Sequence, residues 1–153
     1  NGRPASDIDV VFDIDGVIAE NWNGDYANAP PVVEGIANVN KTFDEGYRVT
    51  LFTARYGKRH PGEQYQYGYE ETLQWLRRHG VKFHRLIMGK PAGDVYVDDK
   101  AVRVDVNNRK EDWEKYWQQL EQVHNKNQYG QSKTTNISSL DEAVVLQKQL
   151  DRF

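Results

Sequence analysis

Asp13 and Asp15 stand one residue apart at the end of an apolar run, Val10-Val11-Phe12, and directly before Gly16. Side chains repeat with period two along an extended strand, so the two carboxylates leave the same face as close neighbours. Like charges held that close repel unless a cation neutralises them. Two kinds of chemistry answer to such a pair: a metal ion bound by both, or one carboxylate acting as nucleophile beside another acting as acid. Asp-Gly is also ordinary turn chemistry after any strand, so the pair gains meaning only from what else the fold brings to it.

The elements that would position it can be read from hydrophobic periodicity. Residues 8–12 form a mostly buried strand, interrupted only by Asp9. Residues 19–31, with Asn23-Gly24 and Pro30-Pro31, form a loop or small hairpin. From Val32 the spacing of Val32, Val33, Ile36, Val39 and Phe43 predicts a helix stopped by Gly46. A second buried strand, 47–52, ends in Thr53-Ala54-Arg55. Residues 57–69 read as a polar surface loop, 70–79 as a helix with Leu73 and Leu76 inward and Gly80 as its stop, and 81–88 as a short third strand. Gly89-Lys90-Pro91 follows as a loop, and 94–97 as a fourth strand ending in Asp98-Asp99. Residues 110–123 are amphipathic, and the stripe Trp113, Tyr116, Trp117, Leu120 and Val123 reads as core packing. Beyond residue 124 a polar linker leads to a short amphipathic helix, 140–153. The division is a core over 1–125 and a linker with helical extension over 126–153.

Strands alternating with helices imply βαβ units, hence an α/β fold: a Rossmann-like three-layer sandwich with a mostly parallel sheet and helices on both sides. Right-handed crossovers bring the carboxyl ends of the strands to one edge. That edge then collects Asp13 and Asp15, Thr53 with Arg55, Lys90, and Asp98 with Asp99. Oxygen donors without cysteine or clustered histidine suit a hard divalent ion, most simply Mg²⁺. A phosphoryl group in transfer spreads negative charge over its oxygens, which asks for a metal, a fixed cation and preorganised donors.

The order Asp13-Ile14-Asp15-Gly16, Thr53, Lys90, Asp98-Asp99 resembles the four motifs of the haloacid dehalogenase-like hydrolases, over roughly residues 8–105. The resemblance implies that Asp13 is a nucleophile forming an aspartyl-phosphate and that Asp15 protonates the leaving oxygen and later activates water. It implies further that Thr53 and the amide beyond it hold phosphate oxygens and that Lys90 steadies nucleophile and phosphate. The Mg²⁺ ligands it implies are Asp13, Asp15 through its carbonyl, Asp98 and Asp99. Retention of Asp15, a positioned acid, favours a phosphatase over dehalogenase or phosphonate-cleaving relatives. Val17 stands where that family often has threonine. The short spacing between Asp15 and Thr53 leaves room for a small flap and no full cap domain. The stretches Phe52-Thr53-Ala54-Arg55, Gly89-Lys90-Pro91 and Tyr96-Val97-Asp98-Asp99 look most like small bacterial phosphatases of capsule or lipopolysaccharide sugar synthesis. A sugar phosphate or similar small phosphate ester is the expected substrate. Thr53, Ala54, Arg55 and Lys90 are the expected substrate-binding residues, and Tyr56, Lys58, Arg59 and His60 either recognise the leaving group or form a solvated basic loop. An open edge of this kind admits large phosphates or relies on a second copy of the chain to close it.

Composition narrows the field. The chain has 153 residues, one domain by the usual measure. Its formal net charge of -3 provides no basic field, so capture of long nucleic acid is not favoured. Cysteine is absent, which removes disulfides, thiolate nucleophiles and thiolate zinc sites. His60, His79, His84 and His124 show no metal-ligand spacing and read as surface or capping residues. No apolar stretch approaches a membrane span, and no signal-type segment opens the sequence, so a cytoplasmic location is expected. Two other readings stay open: a phosphatase of nucleotides or polynucleotide ends, and a non-catalytic regulatory or binding domain on the same fold.

Overall fold

The computed structural model describes residues 2–20, 23–57 and 63–126, with the side chains of 63–67 left aside. Within them the chain is an α/β fold built on a three-stranded, open parallel sheet. The elements run β1 (Asp9–Phe12), α1 (Val33–Asp44), β2 (Arg48–Thr53), α2 (Glu63–Arg78), β3 (Arg85–Met88) and α3 (Lys110–Asn125). The strands lie in the order β1-β2-β3, with Val10 opposite Val49, Phe12 opposite Leu51 and Thr53 opposite Met88.

That register puts Phe12, Val49, Leu51, Leu86 and Met88 on one face, all buried. The strand order has no reversal, so every right-handed crossover falls on the same side of the sheet and α1 and α2 share that face. α3 joins them: the Tyr116 ring lies 5.7 Å from Phe12, and its hydroxyl is 2.7 Å from Thr42 Oγ1 of α1. Trp117 Nε1 donates to Asn38 Oδ1 at 2.7 Å, fastening the two helices a turn further on. The expectation of helices on both faces is therefore not met among the described residues. The opposite face carries Val11 and Ile87 exposed, beside a network in which Arg85 bonds Asp9 at 2.6 Å and Thr50 at 3.1 Å.

Other elements depart from the sequence pattern in instructive ways. Residues 94–97 are not a strand; they belong to an exposed connection in which Val95 and Val97 are 77% and 97% accessible. Tyr96 shows why. Its hydroxyl turns back on its own loop, donating to the Pro91 carbonyl and accepting from Gly93 N at 3.1 Å. Strand preference in so short a run depends on a neighbouring ladder, and here local bonds hold a turn instead. In α1, Val33 faces solvent, while Gly35 and Thr42 are buried with Val39. The helix predicted over 70–79 begins earlier, at Glu63, and Thr72, Trp75 and Leu76 are fully buried on it; Trp75 Nε1 donates to the Ala29 carbonyl at 2.9 Å. His84 does cap: its Nδ1 accepts from Val49 N at 2.9 Å where β3 begins. The linker and the helix expected over 140–153 lie outside the described residues, as do Lys58, Arg59 and His60. No helix among the described residues is long and apolar enough to cross a membrane.

Candidate active site

β1 ends at Phe12 and the chain turns at once. The Ile14 carbonyl accepts from Val17 N, Ile18 N and Ala19 N, at 2.9 to 3.2 Å, and Gly16 N donates to the Ala19 carbonyl at 2.8 Å. Such a turn needs a left-handed residue, and Gly16 supplies it with φ +89°. Ile14 and Ile18 are fully buried, so the turn is anchored from below while Asp13 and Asp15 remain partly accessible. Ala19 bridges to both Asp15 and Pro31, and Glu20 N donates to the Pro30 carbonyl at 2.9 Å. The loop beyond the acidic turn is thus stitched back to it by main-chain bonds.

α1 presses on the same turn. A Cβ at Gly35 would lie 1.8 Å from the Val17 carbonyl oxygen, so only glycine lets the helix approach this closely. Asn108 also secures the turn, its Nδ2 donating to the Val17 carbonyl at 3.3 Å while its Oδ1 accepts from Trp113 Nε1 at 2.7 Å.

Three strand ends meet around the turn. Lys90 N donates to the Thr53 carbonyl at 3.0 Å, carrying the β2–β3 pairing one step beyond β3. Lys90 Nζ then reaches Asp13 Oδ2 at 3.3 Å, with the Tyr96 ring 4.4 Å from the ammonium. Asp13 Oδ1 accepts from Ile14 N at 2.8 Å. Burial pushes the Asp13 pKa up from its ordinary value; Lys90 and the Ile14 amide act against this, and the Asp15 charge adds to it. Thr53 is fully buried, and its Oγ1 accepts from Arg55 N at 3.1 Å. Ala54 follows it in the turn, where its carbonyl accepts from Gly57 N at 3.0 Å.

Arg55 is the departure. As a residue expected to contact substrate it should reach solvent, but its side chain is fully buried and spent on Asp15. Nε donates to both Asp15 oxygens, at 3.1 and 2.9 Å, and Nη2 to Oδ1 at 2.8 Å. The guanidinium carbon lies 4.7 Å from the Tyr26 ring centroid and 5.7 Å from that of Trp75. The sequence signal for this was the spacing of Asp15 and Arg55 on neighbouring strand ends, which predicts proximity but not partnership. Tyr26 carried no signal of its own.

Asp98 and Asp99 are not brought in. Both are exposed, and Asp98 Oδ1 is used locally, accepting from Lys100 N at 2.7 Å. An all-oxygen donor set suits a hard divalent ion, yet among the described residues no three acidic or imidazole side chains are grouped so as to hold one. The expected ligand set of Asp13, Asp15, Asp98 and Asp99 is divided between the acidic turn and the loop that failed to become a fourth strand.

Beside Asp15 opens a recess of about 460 Å³ lined by Asp15, Gly16, Glu20, Arg103, Asp105 and Val106. Glu20 and Arg103 make no ion pair among the described residues, so their charges are available to a ligand.

The crystal structure of an MCSG target from Vibrio cholerae shares the fold. It matches with a TM-score of 0.60, covering 74% of this chain and 97% of that one, at 24% sequence identity. No family model and no curated protein matches the chain.

Proposed function

We propose that this chain is a phosphomonoester hydrolase of the haloacid dehalogenase-like type, with a Rossmann-like core, a small flap between Asp15 and Thr53 and no full cap. The observation that carries the reading is the meeting of Asp13 and Lys90, from the ends of β1 and β3, with Lys90 Nζ 3.3 Å from Asp13 Oδ2 and Asp15 on the same turn; Thr53, at the end of β2, is fully buried. A lysine beside a carboxylate that burial tends to neutralise opposes that tendency and offers a cation to the incoming phosphate.

The chemistry follows from the roles. An Asp13 carboxylate oxygen attacks phosphorus; the phosphorus–oxygen ester bond breaks, and the leaving oxygen takes a proton from Asp15, whose Oδ2 accepts only one bond from Arg55 and keeps a lone pair to carry that proton. Water then attacks the aspartyl-phosphate, giving its proton to Asp15 and releasing inorganic phosphate. Lys90 and the main-chain amides of the turns stabilise the charge on the transferring group. Mg²⁺ is proposed as cofactor on donor chemistry, and when bound it would offset the negative charge of carboxylates and phosphate. Asp13 and the main chain at Asp15 would be the donors the turn offers it; no step above depends on where the ion sits.

The recess beside Asp15 supports a small leaving group. Its volume falls within the range of ordinary metabolite sites, about 300–1,000 Å³. Glu20 and Asp105 make it a poor bed for a second phosphodiester, and hydroxyls would find acceptors there and a donor in Arg103. A sugar phosphate suits it better than a polynucleotide end.

The test is phosphate release from hexose, heptose, pentose and nucleoside monophosphates and a 3′-phosphorylated oligonucleotide, with Mg²⁺ and with chelator. The expected result is turnover of sugar phosphates that disappears with chelator and in Asp13→Asn. Turnover surviving in Asp13→Asn refutes the covalent route. Preference for the oligonucleotide favours the nucleic-acid reading, and silence on every ester favours a non-catalytic binding domain.

A further inference from the structure

Arg55 is a large cationic side chain with no exposure, and burying an arginine is costly unless a partner meets it. The Asp15 carboxylate meets it through two N–H groups, Nε shared between both oxygens and Nη2 on Oδ1, all at less than 3.2 Å. Nη1, by contrast, has no hydrogen-bond partner among the described residues although it is buried. The guanidinium gives up part of its bonding capacity and still keeps one orientation. What keeps it there is aromatic: the rings of Tyr26 and Trp75 lie 4.7 and 5.7 Å from its central carbon. Cation–π contacts of this kind gain strength when the cation is removed from water.

The two rings come from different places. Trp75 is a fully buried anchor on α2, tied by Nε1 to the Ala29 carbonyl. Tyr26 belongs to the loop that follows the acidic turn and stands edge-on to Tyr56, with centroids 5.1 Å apart. Tyr56 in turn packs over Gly68 of α2, where an added Cβ would fall 2.4 Å from its ring. The loop, the end of β2 and α2 therefore share a single contact centre, and Asp15 is its polar terminus.

We propose that Arg55 is the positioning residue of the acidic turn: it fixes the Asp15 carboxylate by a bidentate ion pair and couples it, through the Tyr26 ring, to the loop at residues 23–31. Lysine cannot replace it, because a single ammonium lacks the planar fork that grips both carboxylate oxygens and stacks on a ring. The consequence for turnover rests on the hydrolase reading above; the clamp itself does not.

Two measurements separate them. In steady-state kinetics, Arg55→Lys and Arg55→Gln are expected to lower kcat about 10- to 100-fold, with KM within about threefold of the parent, since a misplaced acid costs rate more than binding. Tyr26→Phe should keep most of kcat, whereas Tyr26→Leu should follow the arginine variants. A raised KM with kcat preserved would show Arg55 contacting substrate and overturn the proposal. The second measurement is a double-mutant cycle on folding stability, read by urea denaturation. Asp15→Ala should destabilise strongly by leaving Arg55 buried and unpaired, and Asp15→Ala with Arg55→Met should recover part of that loss. Strictly additive losses overturn the clamp. If Asp15→Ala does not fold, Asp15→Asn with Arg55→Lys serves the same cycle. A parent chain without turnover on any ester overturns the catalytic consequence together with the hydrolase reading, and the cycle still decides the clamp.

Discussion

Gly35→Ala tests the closeness of α1 to the acidic turn. In a helix exposed to solvent the change would stabilise by about 1 kcal/mol, because alanine loses less backbone freedom on folding. At Gly35 the new methyl would stand 1.8 Å from the Val17 carbonyl oxygen and 2.8 Å from its carbon, against a lower limit of 3.0 Å for real contacts. The obstacle is main chain, and that carbonyl also accepts from Asn108, so no side chain can swing aside to make room. Helix and turn must separate by about 1 Å. Overpacking of this sort costs about 1–3 kcal/mol and sometimes more. Set against the helix gain, and with the contact at the severe end, the net loss should be about 2 kcal/mol, or about 4–8 °C in Tm for a domain of this size. Differential scanning calorimetry reads it. Val33→Ala, on the exposed side of the same helical turn, is the control and should be neutral or slightly stabilising. If Gly35→Ala melts at or above the parent temperature, the packing argument is wrong. The separation should also move Asp15, so kcat should fall along with Tm.

Lys90→Met removes the cation that lowers the Asp13 pKa against the effect of burial, so that pKa rises further and the acid limb of kcat/KM should move to higher pH; an unmoved limb would show that Lys90 does not act on Asp13. Trp75→Phe deletes a buried N–H bond to the Ala29 carbonyl and opens space in the core, so unfolding in urea should show a loss of about 1–3 kcal/mol. The His79 pKa lies below its ordinary 6.5, chiefly through desolvation and secondly through Arg78. The unfolded chain then binds more protons between the folded value and 6.5, so stability should fall as pH drops through that window. His79→Gln should flatten this dependence, measured as Tm from pH 7.5 to 5, and an unchanged slope would count against the assignment.

The strands and helices nearest the site were legible because each is a short apolar or periodic run bounded by a glycine or an acidic turn. Gly46 and Gly80 stop their helices with positive φ, as glycine after a periodic run implies. The meeting of Asp13 with Lys90 was implied by topology alone, since parallel strands deliver their carboxyl ends to one edge. The fate of Arg55 was hidden because spacing shows which residues come near and not which ones face inward; the burying agents, Tyr26 and Trp75, lie 29 and 20 positions from it in sequence. The run at 94–97 misled for a related reason. Its apolar pattern is that of a strand, but a strand needs a neighbour, and Tyr96 found hydrogen bonds closer to home. Aromatic spacing in α3 was a safer guide: Trp113, Tyr116 and Leu120 are buried as the stripe implied.

One carbonyl has a consequence for how this chain can drift. With the Ile14 oxygen shared by three amides, the bend bearing Asp15 is drawn chiefly by main chain, and the side chain at Val17 takes no hydrogen-bonding part in it. Substitution at Val17 should be forgiven wherever the newcomer matches its bulk. A replacement at Gly16 or Gly35 would have no such latitude, so a mutational library of this segment should survive in a pattern set by two glycines rather than by the acids they frame.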